Sequence, residues 1–317
     1  MALACAALAT GNSAAQPKLR RIAFLSALSA ASMATRVDAL TKGLKELGYV
    51  EGRNLHVEYR YADGQAARIA PMVAELAKLN VELIVTSGPG STRPVLEATR
   101  TIPVVMGFDP DPVGSGFVAS LARPGGNVTG LSSLAPQIFA KQLQMLKELV
   151  PQLSRVAVLI NSTTAGTPQT LKELEAMAAA LRVKVQVLEV QAVADIEPAF
   201  QAVRRGQAEA IFVGANPITT GNRAQVIKLV EAMRLPAMYI ATEFVDEGGL
   251  AIYGVSSVDL FRRAATYVDR ILKGAKPGDL PVEQPTVYEM AINLRTAKAL
   301  GLKIPQSIVV QATRVVE

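Results

Sequence analysis

Three short apolar runs occur twice in this chain, in the same order and about half a chain apart. RIAFLS from Arg21 reappears as RVAVLI from Arg155, 134 residues on; LIVTSG from Leu83 reappears as AIFVGA from Ala210, 127 on; TIPVVM from Thr101 reappears as RLPAMY from Arg234, 133 on. Each run is short and rich in β-branched residues, with helix-like sequence between it and the next. Buried parallel strands joined by crossover helices read in this way. Three matched pairs in order predict an α/β protein of two similar Rossmann-like lobes. A cleft between the lobes is where function is to be sought.

An apolar content of 50% over 317 residues is enough for two cores. The net charge of +6 comes from lysines and arginines scattered among acidic residues, with no basic run, and this argues against a nucleic-acid partner. ALACAALAT followed by GNSAAQP reads as the tail of a secretory signal cleaved near Ala15 or Gln16, although a basic n-region is lacking. The true start is therefore upstream of Met1, or the segment is a poorly ordered leader. Cys5 falls within it, so the mature chain is expected to carry no thiol. No later stretch reaches the ~18 to 20 apolar residues of a membrane span.

Along the chain, strands are predicted at 21–25, around Leu55, Val57 and Tyr59, at 83–86 and at 104–107, with helices at 33–47 (closed by Gly48), 66–79 and from Thr92. Residues 108–131, rich in Pro, Gly and Asp, read as the first crossing between lobes. The second run has strands near 156–160, 184–190, 210–213 and 237–240, with helices near 168–181, 195–205 and 222–233. A strand at 250–253 and a helix at 258–272 exceed what the second lobe needs, so the chain is expected to cross back there and return near Pro285. The expected division is a leader at 1–19, a first lobe of 20–131 plus 250–284, and a second of 132–249 plus 285–317.

Catalytic constellations are missing. His56 is the only histidine and sits in an alternating strand, so neither a His-based triad nor a Cys/His metal cluster can form. Gly114 to Ala119 fits a dinucleotide fingerprint, but Asp109, Pro110, Asp111 and Pro112 separate it from the strand, and no acidic residue follows at the required distance. The Asp109 and Asp111 pair reads better as a turn than as metal ligands. The patterns at Asn127 and Asn161 for glycosylation read as chance. No cofactor and no metal are expected.

Two long stretches are far more specific: DPVGSGFVASLARPGGNVTGLS (Asp111 to Ser132) and YVDRILKGAKPGDLPVEQPT (Tyr267 to Thr286). With GLKELGYVEGRNLHVEYR (Gly43 to Arg60) and INLRTAKALGLKIP (Ile292 to Pro305), they resemble the substrate-binding proteins of the bacterial ABC importer family typified by tryptophan/tyrosine-binding proteins. The resemblance runs from about Arg20 to the C-terminus. It implies a type I periplasmic binding fold, two Rossmann-like lobes on a three-strand hinge, in a periplasmic monomer without enzymatic activity. It also implies an ABC permease and ATPase as partners, and as ligand an aromatic or hydrophobic amino acid or a related aromatic carboxylate. A ligand-sensing subunit for a membrane kinase is one alternative reading, and an enzyme on a doubly wound fold is another.

The strand ends locate the candidate ligand contacts. In the first lobe these are Ser26 to Ser29, Ser87 to Thr92, and Phe108 with Asp109; in the second they are Asn161 and Ser162 through Thr164, Ala215 to Pro217 with Asn216, and Ala241 to Glu243. SGPGST places hydroxyls where a helix begins, so Ser87, Gly88, Ser91 and Thr92 are expected to hold a ligand carboxylate, with an ordinary cap by Ser91 as the other reading. Rings of Phe108, Tyr239 and Tyr253 are placed to sandwich an apolar ligand, unless Tyr239 is core. Glu243 resembles the family position that accepts an α-ammonium group, so Glu243→Gln is expected to weaken binding of an amino acid but not of an amine-free acid.

Overall fold

The computed structural model of the protein describes residues 19–133, 135–162, 167–214, 216–240 and 242–317. The leader and Cys5 lie outside these residues, as do Thr163, Thr164, Ala215 and Ala241 of the predicted strand-end loops. Among the described residues no helix is long and apolar enough to cross a membrane.

The first lobe runs β1 (Arg20–Ser26), α1 (Ala30–Glu46), β2 (Leu55–Tyr61), α2 (Ile69–Lys78), β3 (Ile84–Ser87), α3 (Pro89–Ala98), β4 (Val104–Asp109) and β5 (Val128–Ser132). The second runs α4 (Ala135–Leu149), β6 (Arg155–Ile160), α5 (Thr167–Leu181), β7 (Lys184–Glu189), α6 (Ile196–Arg205), β8 (Ala210–Val213), α7 (Pro217–Gly221), α8 (Arg223–Met233), β9 (Ala237–Tyr239), α9 (Thr242–Asp246) and β10 (Ala251–Val255). Helix α10 (Ser257–Leu272) follows, then β11 (Tyr288–Asn293), α11 (Leu294–Leu300), α12 (Gln306–Gln311) and β12 (Arg314–Val316).

The sheets are ordered β2-β1-β3-β4-β5 and β12-β11-β10-β9-β8-β6-β7. Thus β1 and β6, β3 and β8, and β4 and β9, the pairs seen as sequence repeats, take equivalent places, and β5 and β10 form a fourth pair. The strands β1, β3 and β8 are covered on both faces by helices, and this is why their sequences are unbroken apolar runs. At the edge of the first sheet β2 alternates instead, with Leu55 and Val57 inward and His56 outward.

Strand β5 was not anticipated, because VTGLS is short and sits in a Gly- and Pro-rich context. Gly130 there has φ +133°, and a side chain would run into the backbone of Met106 on β4. Helix α3 starts at Pro89, three residues before the expected Thr92, because proline without an N–H suits the first turn.

One boundary needs correction. The segment from 250, expected in the first lobe, begins with β10, which pairs with β9 and β11 in the second sheet. The return crossing therefore lies after Val255. Helix α10 does join the first lobe, where Leu260, Phe261, Ala264, Ala265 and Val268 pack with Ile22, Phe24, Leu40 and Val105. The chain leaves again after Glu283, which pairs with Leu131. Helices α1 and α10 meet so closely that a side chain at Gly43 would strike the Arg262 carbonyl and lie 2.9 Å from the Ala265 Cβ. Gly43→Val is expected to lower stability by about 1–3 kcal/mol through overpacking, read as a lower melting temperature.

Candidate functional site

In the first lobe the predicted hydroxyls are brought together, but mostly to one another. The Ser87 Oγ–H donates to Ser26 Oγ at 2.7 Å, and Ser26 Oγ also accepts from the Leu28 N–H at 3.0 Å. Ser91 and Thr92 Oγ–H groups both reach the Gly88 carbonyl at 3.0 Å, and Thr92 Oγ1 lies 2.8 Å from Thr86 Oγ1. Ser91 and Thr92 are fully buried, and their hydroxyls brace the entry to α3. Gly88, at φ +94°, makes that entry; a Cβ there would stand 3.0 Å from the Phe108 ring, which packs edge-on against Phe261 with centroids 6.2 Å apart. Ser29 caps α1 by accepting from the Ser32 N–H at 3.3 Å.

In the second lobe Asn216 is buried and caps α7, accepting from the Ile218 N–H at 2.9 Å while its amide donates to the Val190 carbonyl at 2.6 Å. Ser162 is exposed and donates its N–H to Glu189, and the Asn161 carbonyl accepts from Thr167 Oγ1 at 3.0 Å. Tyr239 is only 1% exposed, stacked on Phe244 with centroids 4.7 Å apart; it belongs to the core under α8 and α9, because its side of β9 faces those helices. Burial raises its phenol pKa. Tyr253 is half-buried and stacks on Tyr288 across the antiparallel β10–β11 pair, 6.1 Å between centroids. Of the three rings expected to sandwich a ligand, Tyr239 is core, whereas Phe108 and Tyr253 are half-buried and each rests on one neighbouring ring.

A cavity of about 600 Å³ opens between the lobes, lined by Pro110, Asp111 and Ser132 of the first, Gln137 and Gln169 of the second, and Gln284 of the last crossing. Behind its first-lobe wall lies Asp109, with 0% of its surface exposed. Its Oδ1 accepts from the Asp111 N–H at 3.0 Å and the Ser115 hydroxyl at 3.4 Å, whereas Oδ2 has no hydrogen-bond partner. Burial pushes its pKa from 3.8 up to about 7, more than those hydrogen bonds lower it. The expected turn is present, since Asp111 Oδ1 in turn accepts from the Gly114 N–H at 2.9 Å. Among the described residues no group of three or more His, Cys, Asp or Glu could hold a metal.

The family model for ABC transporter substrate binding proteins matches residues 21–316. The chain belongs to that family. A solved structure of a Vibrio cholerae conserved domain protein is 28% identical with a TM-score of 0.89, covering 94% of this chain and 100% of that one. The structure of an ABC domain from Streptococcus pneumonia in complex with L-Trp is 26% identical with a TM-score of 0.87, again covering 94% and 100%. A Tyrosine-binding protein of Clostridioides difficile is 25% identical over 262 residues, 83% of this chain and 75% of that protein. The two-sheet architecture is the type I periplasmic binding fold.

Two residues of this substrate-binding protein that sequence reasoning missed connect its parts. Arg36 on α1, its side chain 12% exposed, lies 3.5 Å from Glu243 on α9 and so links the two lobes. It is held by hydrogen bonds to Ser257 Oγ at 3.2 Å and the Ser32 carbonyl at 3.0 Å. Gln142, fully buried on α4, donates to the carbonyls of both Tyr239 and Tyr253 and ties the end of β9 and the middle of β10 to the helix after the first crossing. In sequence Arg36 is one more cation on an amphipathic helix, and nothing in its spacing marks a partner 207 residues away.

Proposed function

We propose that this protein is the periplasmic receptor of an ABC importer, closing on an aromatic or hydrophobic amino acid or a related aromatic carboxylate and passing it unchanged to a permease and its ATPase. The observation that carries the reading is the pairing of two equivalent sheets across a cavity, in a chain whose relatives include a tyrosine-binding protein and an L-Trp complex. The hydroxyl hydrogens of Ser87 and Ser91 are committed internally, so recognition of a ligand carboxylate at the start of α3 would fall to first-turn backbone N–H groups and the helix dipole. Hinge closure then presents both lobes together to the permease.

Thermal-shift titration of ligand-stripped protein tests this. A ligand at 100 times its Kd adds about 2.7 kcal/mol, a shift of several degrees, with the ligand recovered intact. No shift with any aromatic or hydrophobic amino acid or aromatic acid, or conversion of the ligand, would overturn the reading.

Because Glu243 is complemented by Arg36, its removal is expected to act through closure and not through recognition of an amine. The Glu243 side chain is 37% exposed, so the pair is worth about 0.2–1 kcal/mol. Glu243→Gln and Arg36→Gln should each weaken amine-bearing and amine-free ligands alike, by a few-fold at most in calorimetric titration.

A further inference from the structure

We propose that Asp109 receives a cationic ammonium group of the ligand, so that the cleft selects amino acids over their amine-free analogues. This rests on the proposed aromatic or hydrophobic ligand class and narrows it to ammonium-bearing members. Asp109 ends β4, and its chain neighbours Pro110 and Asp111 and its sheet partner Ser132 all line the inter-lobe cavity. A carboxylate removed from water requires a partner for each oxygen, and here only Oδ1 has donors.

The nearby cation, Arg93, acts on Asp109 through its charge but leaves Oδ2 without a hydrogen bond. Arg93 donates to the Ser115 carbonyl at 3.1 Å and lies over the Phe117 ring, 5.0 Å from its centroid. No Lys or Arg is among the described residues lining the cavity, and the one ionisable group among them is Asp111, an acid like Asp109. Two acidic side chains at one end of an amide- and proline-lined cavity favour a positive guest there, one that draws Asp109 into its charged form. Glu243, the sequence-based candidate for the same role, already has a cation beside it, Arg36 at 3.5 Å across the lobes.

The test is calorimetric titration of wild type and Asp109→Asn with L-tyrosine, L-tryptophan, 3-(4-hydroxyphenyl)propionate and indole-3-propionate. Wild type is expected to prefer the amino acids, and Asp109→Asn to lose about 10- to 100-fold for them and no more than about twofold for the amine-free acids. Equal binding of both kinds by wild type, which needs no variant to fold, overturns the proposal, as does an Asp109→Asn protein that keeps the preference. Binding of none of the four by wild type is a different failure: it removes the aromatic-ligand reading and this proposal with it.

Discussion

Replacing Phe261 with alanine is expected to destabilise the first lobe by about 3–5 kcal/mol. The residue is fully buried on α10, the helix that the chain inserts into the first lobe between two strands of the second. Its ring meets Phe24 at 6.2 Å and Phe108 at 6.2 Å between centroids, and Gly107 is bare because a side chain there would collide with it. The cavity left by truncation lies between sheet and helix, where neither backbone can collapse to fill it. Calorimetric or denaturant unfolding should show the loss, together with weaker ligand binding, because Phe108 loses the surface that orients it beside Gly88. Val310→Ala, at a site 74% exposed, should change stability by less than about 0.5 kcal/mol. A similarly small loss at Phe261 would show that α10 does not anchor the lobe.

The second large effect is on pH dependence. Asp109 is neutral more readily in the folded chain than in the unfolded one, since its folded pKa is raised from 3.8 to about 7. The unfolded state therefore loses its proton first as pH rises. Stability from this group is fully present below about pH 4 and is lost progressively as pH climbs through about 7. The interval corresponds to at most about 4 kcal/mol. Glu58, held low by its bonds to His56 and Arg60, and Glu209, held low chiefly by the Ser154 N–H, act in the opposite sense. The informative quantity is the stability difference between wild type and Asp109→Asn, in which those contributions cancel. That difference should move in favour of the variant by a few kcal/mol between pH 4 and pH 8. A flat difference would mean that water or a cation compensates the buried carboxylate in the free protein.

The strand ends were legible because they are local, whereas the helix starts were read late: α1 begins at Ala30 behind Ser29 and α3 at Pro89, each three residues before the position periodicity gave, and α7 behind Asn216 was not read at all. What the capping groups do with their hydrogens was not legible. Whether the Ser91 hydroxyl faces a guest or the Gly88 carbonyl depends on backbone geometry at a glycine with φ +94°. Tyr239 shows the same limit: a ring at a strand end reads equally well as mouth or core, and only the docking of α8 and α9 on that side of β9 places it inside.

The chain by itself determined the doubling. Unbroken β-branched runs in matched order require strands buried on both faces, and crossover helices make such strands parallel. The family resemblance, with its expected two-lobed receptor, was also carried by contiguous motifs. Tertiary structure alone decided that β10 stays with the second sheet while α10 crosses to the first, that Arg36 reaches Glu243 across the lobes, and that Asp109 is left with an unpartnered oxygen beside the cavity. These are pairings between segments far apart in sequence, and their energies depend on burial and distance, which no local pattern encodes.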